Sequence, residues 1–249
     1  VARFFYLQIL QHDIYATLSD KNRIQIQPLA PVRGLIYDRN GELLADNIPS
    51  FNLTIAPERV ADLDQTLAHL GSILSLTEED ILGFKSRVKR RKPPFDSVPL
   101  LFKLTTQEIA QFSVDRHLLP GVGVEAKLVR HYPRGELMVH AVGSVRRINE
   151  SDAKRLDSVA YSGTDYVGKI GVEKFYEQDL LGRVGYQQVE IDARGKVMKV
   201  LESNLPSRGK DLILHVDSSL QAVASEALGD RRGTVVAIEP KTGGILALV

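Results

Sequence analysis

The chain has no cysteine among its 249 residues. That excludes a disulfide framework and any thiolate metal site. It suits an oxidising compartment but occurs in the cytosol too, so it does not decide the compartment. There is no charge excess either: 32 basic residues stand against 31 acidic ones, for a net charge of +1. This balance argues against a nucleic-acid binder driven by overall charge. No run approaches the about 18 apolar residues that a membrane-spanning helix needs, and the start lacks the basic, apolar and cleavage regions of a signal peptide. The first residue is Val1, and the last five, Ile245 to Val249, are apolar like a buried strand. The expectation is a stretch trimmed at both ends from a longer protein. No internal repeat or low-complexity tract is present. None of the six histidines falls in His-x-x-x-His or His-Glu-x-x-His spacing, so a metal site is not expected. Gly163 to Gly171 is glycine-rich, but it matches neither Gly-x-Gly-x-x-Gly nor a phosphate-binding loop.

What is present is ordinary globular material: 43% hydrophobic and 25% charged residues. The length suffices for one large core or two small ones. Leu7, Leu10, Ile14 and Leu18 recur at helical spacing over residues 1–22, either as a docking helix or as an amphipathic helix continuing from a membrane span. Ile24 to Gln27 alternates like a strand, which Pro28 and Pro31 are expected to break. Asn40-Gly41, between the apolar runs Leu35–Tyr37 and Leu43–Ala45, predicts a hairpin with a type I′ turn. Arg33, Asp38 and Arg39 crowd this hairpin. They form either a local ion-pair network or a solvated turn with scattered charges.

Phe51, Leu53 and Ile55 alternate with Asn52 and Thr54, predicting a strand buried on one face. Pro57 is expected to open a helix with Val60, Leu63, Leu67, Leu70 and Leu74 on one stripe. Thr77 to Asp80 predicts a capping box for a second helix carrying Ile81, Phe84 and Val88, ended by Pro93-Pro94. Val98 to Leu104 predicts a strand. Thr105 to Glu108 caps a short helix with Ile109 and Phe112, and Pro120-Gly121 turns into a strand over Val122 to Val129. Strand and helix thus alternate over 51–130, the pattern of a small α+β subdomain. Residues 131–205 mix short helices, including Val172 to Leu180, with two strands, Tyr186–Ile191 and Lys196–Leu201, joined through Ala193-Arg194-Gly195. From 211 onward the pattern is strand, helix (Ser218 to Leu228), strand, turn, strand.

Arg33-Gly34-Leu35-Ile36-Tyr37-Asp38-Arg39-Asn40-Gly41 resembles the signature that opens the periplasmic part of class B penicillin-binding proteins. Further segments recur in that family's order: His131-Tyr132-Pro133 through Arg134-Gly135 to His140-Ala141-Val142-Gly143, then Gly163 to Glu173, Asp192 to Gly195, Leu214 to Asp217 and Gly233 to Gly243. The resemblance covers residues 23–249, and Tyr37 with the 163–173 stretch leans to the elongation-type members. It implies an elongated pedestal with a small α+β head, followed by the first strands and helix of a truncated transpeptidase domain. The expected bounds are 1–22 for a membrane-proximal helix, 23–50 with 131–205 for the β-rich anchor region, 51–130 for the head and 211–249 for the start of the transpeptidase domain. Partners implied are a RodA-type glycan polymerase, an MreC-type rod-shape protein, the protein's own transpeptidase domain and, through an upstream helix, the inner membrane at its periplasmic face. The implied mechanism is a population shift between head orientations. Cofactors are not implied, nor is nucleic acid. The residues expected to carry the pedestal's integrity are Arg33, Gly34, Asp38, Arg39, Gly41, Arg134, Gly168, Glu173, Arg194 and Gly195, with Asp165 or Glu173 pairing Arg33, Arg39 or Arg194.

The family's reaction needs Ser-x-x-Lys, Ser-x-Asn and Lys-Thr-Gly. Ser86 to Lys89, Ser151 to Lys154 and Ser207 to Lys210 match the first, Ser50 to Asn52 the second and Lys241 to Gly243 the third. Each is set aside. Ser86 lies in a cationic helix end, Ser207 in a Pro/Gly linker, Ser50 precedes every first-motif match, and only six residues follow Lys241-Thr242-Gly243. No residue is therefore assigned a catalytic role. Two competing readings are a free-standing serine hydrolase built on one of these matches and a basic nucleic-acid or lipid-binding module on Lys85 to Lys92. The second gives way to a solvated helix end, because only Phe84 and Phe95 flank the run.

Overall fold

Period-2 apolar runs and capped 3.6-period runs interleave along the chain, and the fold follows that order. The computed structural model describes residues 24–90, 97–192 and 197–249. It contains β1 (Ile24–Leu29), β2 (Ile36–Tyr37), β3 (Leu43–Ile55), α1 (Leu63–Ile73), α2 (Glu78–Arg90), β4 (Val98–Leu101), α3 (Thr106–Asp115) and β5 (Val122–His131). There follow α4 (Gly135–Val142), β6 (Ser144–Arg147), α5 (Glu150–Ala153), β7 (Tyr166–Ile170), α6 (Gly171–Phe175) and α7 (Glu177–Leu181). The remainder is β8 (Gly185–Ile191), β9 (Val197–Asn204), β10 (Leu212–Ile213), α8 (Ser218–Leu228), β11 (Val236–Ile238) and β12 (Ile245–Leu248). The architecture is α+β, as the alternation predicts. The described residues fall into two compact units: 24–48, 130–190 and 199–249, and 49–129 with 191–198. The helix expected over residues 1–22 and the turn Ala193-Arg194-Gly195 lie outside the described residues.

In the unit built on 49–129, the end of β3 pairs with β4 antiparallel and β5 also pairs with β3. Leu53, Ile55, Leu67, Leu70, Phe84, Leu100 and Phe112 form its core with neighbouring apolar residues. The expectation of one buried face on β3 is corrected. Asn52, Leu53, Thr54 and Ile55 are all buried while Phe51 is exposed. Elements cover both faces of this strand, and its polar side chains are satisfied locally: Asn52 Oδ1 accepts from the Lys103 amide at 3.2 Å, and Thr54 Oγ1 donates to the Gly123 carbonyl at 3.3 Å.

The first helix starts later than expected. Pro57–Arg59 is one 3-10 turn, and α1 begins at Leu63 because the Asp62 carboxylate accepts from the Gln65 amide. The boxes at Thr77 and Thr105 both form. At Thr105 the hydroxyl accepts from the Glu108 amide at 3.2 Å, and the Glu108 carboxylate accepts from the Thr105 amide at 2.8 Å. Thr105→Ala should cost about 1 kcal/mol in urea denaturation. The cationic end of α2 is only partly a solvated face. Arg87 donates to the Pro99 and Leu100 carbonyls and lies 5.2 Å from the Phe102 ring centre, so it fastens α2 to β4.

In the other unit, β10 lies parallel to β2, and β2 antiparallel to the start of β3. Ile36, Leu44, Ala45, Met138, Val142, Leu180 and Val216 make the core between them and α4, α7 and the segment leading into α8. A separate sheet has the order β1-β8-β9. Pro28 does not break β1. It pairs opposite Tyr186 within an edge strand, where its missing N–H can face outward. The 39–41 loop is not a type I′ turn either. Gly41 has φ 84° and Asn40 is not left-handed. Asp38 N donates to Glu42 O at 2.8 Å, closing a three-residue loop with glycine in the αL position. The helix expected over Val172–Leu180 is two short ones, α6 and α7, divided at Tyr176 (φ −99°, ψ 25°). The antiparallel pairing of β6 with β7, across a connection that carries α5, has no counterpart in the elements expected from sequence. It is held by the register Val145↔Gly168 and Arg147↔Tyr166.

Candidate functional site: a buried arginine and glutamate junction

Three segments far apart in sequence meet on Glu173. The end of β5 carries Arg130, with Tyr132 two residues on, both on the same acid. The segment before β2 brings Arg33, and β7 leads through Gly171 (φ 64°) into α6 and α7, which carry Glu173 and Glu177 four residues apart. Glu173 is fully buried, and the Arg130 side chain is 2% exposed. Arg130 Nε donates to Glu173 Oε1 at 2.7 Å and Arg33 Nε to Oε2 at 2.8 Å. Arg33 Nη2 also donates to Glu177 Oε2 at 2.5 Å and to the Glu173 carbonyl at 3.1 Å. Arg130 Nη1 reaches the Gly34 carbonyl at 2.7 Å and Asn47 Oδ1 at 3.2 Å, while Asn47 Nδ2 donates to the Arg33 carbonyl at 2.7 Å.

Two guanidinium groups therefore face two carboxylates, Arg130 and Glu173 almost wholly buried and Arg33 and Glu177 at the partly exposed rim, and the charges balance. Burial opposes the Arg33 cation, but Glu177 and Glu173 more than offset it and raise its pKa. Burial, and then the Glu173 charge, push the Tyr132 phenol up to about 12. Burial and Glu177 raise Tyr161 in the same way. Both phenols thus stay protonated and donate, Tyr132 to Glu173 at 3.3 Å and Tyr161 to Glu177 at 3.0 Å. Gly168 N donates to Glu177 Oε2 at 3.0 Å. Every carboxylate oxygen is occupied by a donor, so the cluster is built to hold segments in place and holds no free base.

A second node adjoins it through the 33–41 stretch. Asp38 is completely buried; Oδ1 accepts from the amides of Asn40 and Glu42 at 2.8 Å each, and Oδ2 from Ser218 Oγ at 2.7 Å and Ser218 N at 3.1 Å. Burial alone would raise its pKa, but these four donors outweigh it and hold the carboxyl below its ordinary value. The Asp38 contribution is therefore present above about pH 4 and is lost as pH falls through the depressed folded-state pKa. Asp38→Asn should lower the melting temperature at neutral pH, and the gap from the parent chain should close in the acid range. A third node is a crossing of backbones. Gly34 N donates to Leu180 O at 2.8 Å, Lys210 N to Asp179 O at 2.8 Å and Gly209 N to Val32 O at 2.9 Å. The end of α7 is thus capped by two other segments.

Among the residues singled out from sequence, Arg33, Gly34, Asp38, Gly168 and Glu173 lie in these nodes. Gly41 supplies the αL position of the loop. Arg39 is exposed; its backbone N donates to Val216 O at 3.0 Å. Arg134 makes an exposed pair with Glu42 at 3.1 Å, of a kind that contributes little. Arg194 and Gly195 lie outside the described residues. Of the partners expected for Glu173, Arg33 is in place and Arg39 is not; the second cation is Arg130, which was not among them. Arg130, Asn47, Tyr132, Tyr161 and Glu177 were missed. The four-residue repeat of Glu173 and Glu177, and the Arg130-x-Tyr132 alternation at a strand end, were the available signals. Of the transpeptidase-motif matches, Ser86 lies in α2, Ser151 in α5, Ser50 in β3 and Ser207 in a bridge with Arg183. Lys241-Thr242-Gly243 forms the β11–β12 loop, with Gly243 at φ 72°. No cluster of three or more histidine, aspartate or glutamate side chains suited to a metal occurs among the described residues. No helix among them is long and apolar enough to cross a membrane.

The chain is 48% identical over 248 residues to the peptidoglycan D,D-transpeptidase MrdA of Acinetobacter baumannii, an alignment covering 100% of this chain and 37% of that protein. It is 39% identical over 253 residues to MrdA of Escherichia coli K12, covering 100% of this chain and 40% of the relative. The chain thus spans about two fifths of the length of these relatives. Among solved structures, the penicillin-binding protein PBP2 in a Helicobacter pylori complex with MreC matches over 91% of this chain and 42% of its own, with TM-score 0.74 and 24% identity, a likeness of fold. Pseudomonas aeruginosa PBP2, solved with WCK 5153, matches over 90% of this chain and 30% of its own with TM-score 0.51 and 31% identity. The sequence profile of the penicillin-binding protein dimerisation domain matches residues 28–214, three quarters of the chain and all three nodes save Ser218. The chain belongs to the penicillin-binding protein dimerisation-domain family.

Proposed function

We propose that this chain is the non-catalytic pedestal of an elongation-type peptidoglycan D,D-transpeptidase, a membrane-anchored protein at the periplasmic face of the inner membrane. In this reading the longer protein cross-links peptidoglycan through a serine outside the 249 residues, and the pedestal positions that domain and docks elongation partners. The observation that carries it is end-to-end alignment with MrdA-named relatives. The junction supports it too, because carboxylates whose every oxygen is held by a donor, and which two guanidinium groups neutralise, make a rigid support and leave no poised nucleophile.

An MreC-type protein is the first partner to test, since the Helicobacter pylori relative was solved in complex with MreC. A RodA-type glycan polymerase is the second. On the 49–129 unit, Val114 is 72% exposed, and Leu82, Leu118 and Leu128 are exposed as well. Val114 lies in the last turn of α3 and Leu118 in the 3-10 turn Arg116–Leu118 that directly follows it. Titrating the chain against the periplasmic part of an MreC-type protein should give saturable binding. Val114→Asp with Leu118→Asp should weaken that binding at least about tenfold without altering the melting temperature. Labelled penicillin should acylate the longer protein and leave this chain unlabelled. Acylation of the chain itself would replace the pedestal with a serine hydrolase.

A further inference from the structure

Gln221, on α8, is a fully buried carboxamide, 1% exposed. Its Nε2 donates to Leu137 O on α4 at 3.0 Å and to Leu248 O on β12 at 2.6 Å, and its Oε1 accepts from Leu248 N at 2.7 Å. Both donors of the side chain are used, along with one of its acceptor positions. The geometry of β12 explains why Leu248 is reached in this way. Val235 and Val249 exchange both of their backbone hydrogen bonds at 2.9 Å each. In an antiparallel pair the next residue then turns its N–H and C=O away from the partner strand. Leu248, opposite Val236, therefore points both groups to the outer edge of β12, and Gln221 meets them there as a neighbouring strand would. One turn earlier Asp217 N donates to Leu246 O at 2.8 Å on the same edge. Helix α8 thus closes an edge that would otherwise present free backbone groups.

We propose that Gln221 is a positioning residue: its carboxamide holds β12 by its outer edge and ties that strand to α4, so the hairpin takes its register from the α4 core. A two-stranded hairpin alone is marginal, and a slip of one residue along β12 would turn the Leu248 groups away and strand a buried amide. An apolar side chain of similar size would fill the space and accept either register. This assignment rests on the pedestal reading in one respect. In the longer transpeptidase, β11 and β12 would be the strands on which the catalytic sheet is laid down, so Gln221 would set acylation without touching substrate.

The test uses the longer protein with Gln221→Met, which keeps length and loses all three bonds, and Gln221→Asn, which keeps the amide but falls one methylene short. Met138→Ala, in the same core, serves as the stability-matched control. Hydrogen exchange at the Leu248 amide should speed up at least about 100-fold in both Gln221 variants. Acylation by labelled penicillin should slow at least about tenfold in both, and less than about twofold in Met138→Ala, at a comparable loss of melting temperature. Unchanged Leu248 exchange, or acylation that follows melting temperature alike in all three variants, would overturn the assignment. If the unaltered longer protein takes up no penicillin, the transpeptidase reading fails, and Leu248 exchange alone still decides whether Gln221 positions β12.

Discussion

Glu173→Ala is expected to destabilise the unit containing it by about 3–5 kcal/mol, read as a fall in the urea midpoint with an unchanged slope. The removed carboxylate lies between Arg33 and Arg130, and its loss leaves two buried cations sharing one remaining acid, Glu177. Moving such charges out of water is costly, and only the paired arrangement offsets it. Against a typical domain stability of about 5–15 kcal/mol, this loss is enough to populate unfolded chains at physiological temperature. Arg130→Ala should cost a similar amount, because it leaves Glu173 half neutralised. The double variant should lose clearly less than the sum of the two, since each single change already breaks the same contact. A loss below about 1 kcal/mol for Glu173→Ala would mean that water enters the site and solvates the arginines, and the junction would not be the support described above.

Gly34→Ala is expected to be as damaging, for a different reason. A Cβ at this position would fall inside the van der Waals shell of the Lys210 carbonyl oxygen and against the Gly209 backbone. Neither neighbour is a side chain that could swing aside. The Gly34 amide is held by Leu180 O from the other direction, so relief in one direction breaks a bond in the other. Overpacking against backbone of this kind should cost at least about 3 kcal/mol. Two glycines calibrate the expectation. Gly123→Ala meets open space at an ordinary φ and should be nearly silent. Gly41→Ala also meets open space but at φ 84°, so only the left-handed backbone is penalised, by about 1–2 kcal/mol. The order Gly34, Gly41, Gly123 in melting temperature separates steric from conformational causes. A Gly34→Ala variant that melts with Gly123→Ala would show that the crossing can open.

Local chemistry was legible residue by residue. Thr105 and Glu108 encode their box because hydroxyl and carboxylate sit three residues apart, and the helix Ser218–Leu228 is read to the residue because Asp217 caps it and Gly229 ends it. Local reading failed where the deciding partner was distant. Asn52 and Thr54 read as a solvent face, yet they are buried because other elements supply Lys103 N and Gly123 O to them. Pro57 read as a helix start, but the stronger cap at Asp62 took that role. The Asn40-Gly41 pair read as a type I′ turn. The buried Asp38 carboxylate, anchored by Ser218 from 180 residues away, organises a wider loop instead.

By itself, the sequence determined the α+β class, the order of elements, the caps and the motif that marks the family, because these depend on residues a few positions apart. The tertiary structure alone decided which charges pair and which backbones touch. Glu173 could have taken any of several arginines. It took Arg33 and Arg130 because the 33–34 segment and the end of β5 meet over α6 and α7, where a carboxylate removed from water must be neutralised by whatever cations the fold delivers to it.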